Sequence, residues 1–277
     1  TPTGDVDMNT MALMARYTVN ENMSFLGGLT QNNLGSGNVT TLAGSYDITS
    51  KTSAGYIAGI AYSIPEIALR AELTYQPKVN FATTTAYTPN AAAVCGAIAP
   101  LDCANLANDA LTAATYAGAE AAMTTSASDT TLSLPDRVAF NFQTGIAENT
   151  LLTASYRKAS WGKSQINVAA PVAIETEFAD SEAYSVGLGR KFTDNFSGSI
   201  TYSKEEGASS TSTSLFTVSN GSEAISVGER YTKDNMNISA GVSQRNVGDV
   251  TVNSSVGTMQ YTGNTVTAMG VKIAFGF

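Results

Sequence analysis

Large apolar side chains recur at every second position in one stretch after another. Met11, Leu13, Ala15, Tyr17 and Val19 alternate with Ala12, Met14, Arg16 and Thr18. The same pattern returns at Met23–Leu29, Tyr56–Tyr62, Ile67–Tyr75, Leu132–Phe142, Leu152–Tyr156, Tyr184–Phe192, Phe196–Tyr202, Ile225–Tyr231, Met236–Val242 and the terminal Thr265–Phe277. A strand turns successive side chains to opposite faces, so each stretch predicts a strand with one large apolar face and one small or polar face. The segments between them fall into two kinds. Short ones carry an acidic-Asn pair, at Glu21-Asn22, Glu148-Asn149, Asp194-Asn195 and Asp234-Asn235, or the turn Ile64-Pro65-Glu66. Asp and Asn side chains bond the local backbone in tight turns, and Pro pre-sets its angle. Long ones, at 32–52, 82–127, 160–181 and 207–222, are rich in Gly, Ser, Thr, Asn or Ala.

Short turns at one end and long loops at the other predict an all-β fold, an antiparallel transmembrane β-barrel with long extracellular loops. About eleven strands are visible. The short turns fall on the periplasmic side, and Phe277 lies at the periplasmic rim. A soluble antiparallel sheet with one wet face gives similar alternation. Two features favour the barrel. Tyr17, Tyr62, Tyr75, Tyr156, Phe192, Tyr202 and Tyr231 fall near strand ends, where interface girdles lie. The other face is mostly Gly, Ala, Ser, Thr, Asn and Gln, as a lumen would be. Bacterial barrels usually have an even strand number. The odd count and the abrupt start at Thr1-Pro2-Thr3-Gly4-Asp5 therefore predict one barrel domain over 1–277 that lacks its N-terminal part or hides a strand. Residues 82–127 are its long extracellular insertion, helical in part over Ala104–Met123, where helix formers dominate.

Composition narrows the chemistry. The formal charge is −8, and phosphate binding needs a basic stripe, so a nucleic-acid partner is not expected. Charged residues make up 14%, against about a quarter in soluble domains. No apolar run reaches the ~18 residues of a transmembrane helix, which does not bear on spanning strands. The chain has no His, which removes Ser-His-Asp and Cys-His catalysis, and no other catalytic constellation stands out. Cys95 and Cys103 suit a local disulfide in an exported protein; two unpaired thiols are the alternative. Without His or further Cys they cannot complete a zinc site, and no metal or cofactor is expected.

Leu132-Ser133-Leu134-Pro135-Asp136-Arg137-Val138, following a long Ala-rich loop, resembles the FadL/TodX-type outer-membrane transporters, as do Ala154-Ser155-Tyr156-Arg157 to Trp161 and the final Phe-Gly-Phe. The resemblance implies a monomeric barrel of about fourteen strands in the outer membrane of a Gram-negative bacterium. It implies passive transport of long-chain fatty acids or other hydrophobic compounds, with a hatch inside the lumen and an opening in the wall. The chain would then hold the last eleven strands and lack the hatch. Its expected partners are outer-membrane lipid and lipopolysaccharide, a hydrophobic ligand, and the barrel-assembly machinery through Phe277. A general porin for small polar solutes and a structural or adhesive surface barrel are the alternatives.

Within that frame a fatty-acid carboxylate would want a fixed cation in the lumen. Parity turns Arg16, Arg70, Arg137, Arg157 and Lys272 inward. Arg157 and Arg137 are the first candidates, because they adjoin the family-like segments. Arg70 reads instead as the partner of Glu72 in a lumen charge network. Leu101, Leu106, Leu111, Tyr116 and Met123 would give the 82–127 insertion a greasy capture surface; an ordinary variable loop is the alternative. Pro135 either kinks a strand along the ligand path or marks where the strand joins the sheet.

Overall fold

The computed structural model describes residues 3–41, 44–90, 124–168, 174–214, 216–254 and 257–275. Its strands are β1(Thr3–Thr18), β2(Met23–Thr40), β3(Gly44–Ile48), β4(Lys51–Ile64), β5(Leu69–Gln76), β6(Val79–Pro89), β7(Ser126–Leu134), β8(Arg137–Ala147), β9(Thr150–Ala159), β10(Asn167–Val168), β11(Ile174–Glu175), β12(Ser181–Lys191), β13(Phe196–Glu205), β14(Thr211–Ser212), β15(Ser222–Lys233), β16(Met236–Val247), β17(Val250–Ser254), β18(Gly257–Tyr261) and β19(Thr265–Phe275). Fourteen of them form one sheet. Three of those, β3, β6 and β7, leave the wall. The remaining eleven follow one another as antiparallel neighbours, β1-β2-β4-β5-β8-β9-β12-β13-β15-β16-β19. These are the eleven strands that the alternation predicts. Among the described residues β1 pairs only with β2, and β19 only with β16.

Register fixes the two faces. Leu188, Ile200, Val227, Val242 and Met269 lie opposite one another across β12, β13, β15, β16 and β19. Met269 is 82% exposed and Leu13 78%. Apolar exposure of that extent over neighbouring strands would cost about 25 cal/mol per Å² in water, so this face belongs against lipid. Tyr17, Tyr56, Tyr62, Tyr75, Tyr202 and Tyr231 are exposed on the same face.

The acidic-Asn turns do more than close hairpins. Asn22 Nδ2 donates to the Ser63 carbonyl at 2.8 Å, and Asn195 Nδ2 to the Thr232 carbonyl at 2.7 Å. The backbone N–H groups of Ser63, Lys191 and Thr232 donate in return to the carbonyls of Asn22, Asn149 and Asn195. The turns at Asn22, Asn149 and Asn195 are thereby tied to the strand beyond their own hairpins. Asn149 and Asp234 have φ of 55° and 51°, left-handed values that Asn and Asp tolerate best among non-glycine residues.

The buried apolar cluster lies against the inner face of the wall, toward its long-loop end. β2 runs past the wall to Thr40, and β3, β6 and β7 continue the sheet from its far end in the order β2-β3-β6-β7. Leu34, Ile48, Val79, Phe81 and Leu132 form one buried cluster, beside the Tyr46 and Tyr87 rings at 5.0 Å between centroids. This cap begins against the inner face of the wall: a Cβ on Gly55 would stand 2.9 Å from Val79 Cγ2, and Ser53 Oγ donates to the Asn80 carbonyl at 2.5 Å.

Three expectations change here. Residues 32–52 are mostly strand, because Leu34 and Ile48 bury against the cap. The insertion expected at 82–127 starts with β6 and ends with β7, which pair with each other from Val79–Leu134 to Tyr87–Ser126. Leu132 and Leu134 belong to this cap and not to the wall. Pro135 and Asp136 separate β7 from β8, so the strand joins the wall only after the proline, which has no N–H for a ladder. The helix expected over 104–123 and Phe277 lie outside the described residues.

Candidate functional site

Register places every predicted inward cation on the face opposite Met269 and Leu13. Arg16 Nε donates to Ser24 Oγ at 2.8 Å, and Arg70 Nη2 bridges Glu72 Oε2 at 2.5 Å. Arg137 Nη2 donates to Gln76 Oε1 at 3.0 Å, while its buried Nε has no partner among the described residues. Arg157 lies one register step below, on the neighbouring strand: Arg137 pairs with Ala159, and Ala139 with Arg157. No hydrogen bond or ion pair engages Arg157 among the described residues.

Five register rows cross this inward face, from the long-loop end to the turn end. They read Ala139–Arg157–Ala183–Glu205–Ser222, then Asn141–Ser155–Ser185–Ser203–Ala224–Arg245, then Gln143–Thr153–Gly187–Thr201–Ser226–Ser243. Gly145–Leu151–Gly189–Ser199–Gly228–Gly241–Gly270 and Lys191–Ser197–Arg230–Ser239–Lys272 complete the set. The first two rows line a pocket of about 400 Å³ that includes Asn141, Ser155, Arg157, Ser185, Ser203, Glu205 and Arg245. Ser155 and Ser185 are 2.8 Å apart. Arg245 Nη1 donates to Ser222 Oγ at 3.4 Å, and Glu205 Oε1 accepts from Ser181 Oγ at 2.5 Å.

A second cavity of about 580 Å³ opens above the first and shares Glu205, Ser222 and Arg245 with it. Two long loops form its walls and bring Trp161, Phe178, Phe216 and Val218 to its lining. Gln165 organises the first loop: its Nε2 donates to the Phe178 carbonyl at 2.6 Å, and its Oε1 accepts from Phe178 N at 2.8 Å and Thr176 Oγ1 at 3.1 Å. Trp161 then meets Phe178 edge-on, 5.7 Å between centroids. Glu177 fastens this loop to the second. Its carboxylate accepts from Thr213 N at 2.9 Å, Ser212 Oγ at 3.0 Å and Thr213 Oγ1. The arrangement is a mouth in which Trp161, Phe178, Phe216 and Val218 stand among the carboxylates of Glu177, Asp180, Glu205 and Glu206, leading into a polar pocket that holds Arg157 and Arg245 with Glu205.

The hydrogen bonds from the Thr213 hydroxyl and N–H hold the Glu177 carboxyl below the usual carboxylate range. Their contribution to loop docking is complete above the ordinary carboxylate pKa and is lost as pH falls through the lowered value. Acid titration of the emission of Trp161, the sole Trp, is expected to show this release. Glu177→Gln is expected to give the acid-form emission already at neutral pH; an unchanged acid transition in that variant would dismiss the latch.

Of the predicted site residues, Arg157 and Arg137 lie close together on the lumen face, and Arg157 lines the pocket. Leu106, Leu111, Tyr116, Cys95 and Cys103 lie outside the described residues. Arg245 was missed. One more step of the Ile238–Val242 alternation turns Gln244 outward and Arg245 inward, but the apolar signal stops at Val242.

The outward apolar belt, the inward polar rows and the short-turn and long-loop ends define a wall of the outer-membrane β-barrel class. The chain shares its fold with a Pseudomonas aeruginosa FadL homologue, at 15% identity and TM-score 0.70, over 98% of this chain and 67% of that one. It also resembles the Pseudomonas putida toluene transporter TodX, at 10% identity and TM-score 0.57, over 99% of this chain and 70% of that one. No protein-family model and no curated protein sequence matches the chain.

Proposed function

We propose that this barrel passes hydrophobic small molecules through the outer membrane, without catalysis, by capture at the loop vestibule and entry into the lumen. Long-chain fatty acids are the class it fits best. The observation that carries this reading is the joined pair of cavities: Trp161, Phe178, Phe216 and Val218 offer apolar contact, and Arg157 and Arg245 stand below to meet a carboxylate. A carboxylate placed there gains charge-assisted hydrogen bonds in a shielded site. The fold shared with a FadL homologue and a toluene transporter supports it.

Titration with a fluorescent fatty acid is expected to show saturable binding. Arg157→Gln and Arg245→Gln are each expected to weaken it about tenfold, the loss of one charge-assisted hydrogen bond, and to leave the methyl ester unaffected. Absence of saturable binding in the parent protein would overturn the reading. The neutral Ser and Thr rows favour a second reading, a porin for small polar solutes. Bilayer recordings separate the two, since a porin gives a large steady conductance.

A further inference from the structure

The turn end of the same lumen face carries a second group of cations. Lys191, Arg230 and Lys272 occupy alternate strands of one register row and are spaced by Ser197 and Ser239. Two residues nearer the long loops on each strand lies the row Gly189–Ser199–Gly228–Gly241–Gly270. Side chains are almost absent from that row, and a trough results. A cavity of about 960 Å³ over part of this row is lined by Gly189, Ser199 and Gly228 together with Lys191 and Arg230.

The facing charges leave this row positive. Lys191 pairs with Asp194 in the turn at 2.8 Å, where Asp194 is 96% exposed. Arg230 Nη2 donates to the neutral Asn237 Oδ1 at 2.9 Å. Lys272 makes no ion pair among the described residues. Glu66 reaches the cavity from a turn, and Glu229 belongs to the outward parity of its strand. A positive row in a chain of net charge −8 is a local arrangement that bulk composition does not produce.

We propose that Lys191, Arg230 and Lys272 form a second anion station, which takes the carboxylate of an amphipathic solute while its hydrocarbon lies in the glycine trough. The inference rests on the transport reading above and adds its inner end. From Arg245 the strand passes Ser243 and Gly241 to Ser239, six residues or about 20 Å, so the two stations stand in series on one face. Passage needs sites strong enough to fill and weak enough to empty, and two in series meet that need better than one deep site.

The test uses the full chain in detergent micelles, with Cys95→Ser and Cys103→Ser, and an environment-sensitive fluorophore on Ala274→Cys. Ala274 lies on the inward parity, two residues beyond Lys272. Dodecanoate is expected to shift the probe saturably; dodecanol and acetate at the same concentrations are not. Arg230→Gln with Lys272→Gln is expected to weaken the dodecanoate response tenfold or more, whereas Lys272→Arg retains it. An equal response to dodecanol or acetate, or undiminished affinity in the neutralised variant, overturns the station. A silent probe with saturable Trp161 quenching overturns the station and leaves the transport reading standing. Silence at both positions overturns both.

Discussion

Ile200→Arg destabilises the barrel in vesicles by about 2–4 kcal/mol, while Thr201→Arg, one residue along, leaves its stability nearly unchanged. The expectation follows from register alone. Ile200 lies between Leu188 and Val227 on the exposed apolar face and is itself 52% exposed. An arginine there must hold its charge in hydrocarbon. Thr201 lies between Gly187 and Ser226 on the face that already carries Arg157, Arg230 and Arg245. A cation there stays in a polar lumen. Urea unfolding of the two variants in lipid vesicles measures the difference. Equal losses would mean that the two faces of this wall do not meet different solvents, and the assignment of lipid and lumen sides would fall with it.

The two faces were readable because a membrane wall imposes the same period-two demand on every strand. Met269, Val271 and Ile273 or Leu13 and Tyr17 announce themselves without any knowledge of their neighbours. The cap obeys the same geometry with other chemistry. β6 buries Val79, Phe81, Thr83, Thr85 and Tyr87 in strict alternation, but two of its five inward residues are Thr and its outward ones are Asn, Ala and Thr. A stretch of that composition reads as loop. Leu132 and Leu134 share parity with Val138, so periodicity joined two strands that Pro135 parts. The vestibule had no periodic signature, and only Trp161, at the end of a family-like segment, stood out locally. Trp161, Phe178 and Phe216 come together because Gln165 and Glu177 tie loops from two different connections, and such pairings carry no period. Lys272 was visible as an inward cation, yet its row with Lys191 and Arg230 exists only through register across five strands.

Phe81→Ala gives the largest single loss, about 3–5 kcal/mol, and the loss is confined to the cap. Phe81 is fully buried among Leu34, Ile48, Val79 and Leu132, and truncation leaves a cavity that extended, cross-paired strands cannot collapse to fill. The cap's backbone ladder joins the wall through β2, by way of β3, and Ser53 on β4 adds a side-chain bond to Asn80, so its strands can open without unpairing β12, β13, β15 and β16. Hydrogen exchange is therefore expected to accelerate in β6 and β7 and to stay slow in those four wall strands. Because β6 begins on the inner face of β4, where Val79 approaches Gly55, release of the cap also widens the mouth of the lumen. Bilayers holding the variant are expected to leak ions more than those holding the parent protein. Uniform acceleration of exchange across cap and wall would show that the two fold as one unit, and unchanged conductance would show that the cap does not restrict the path.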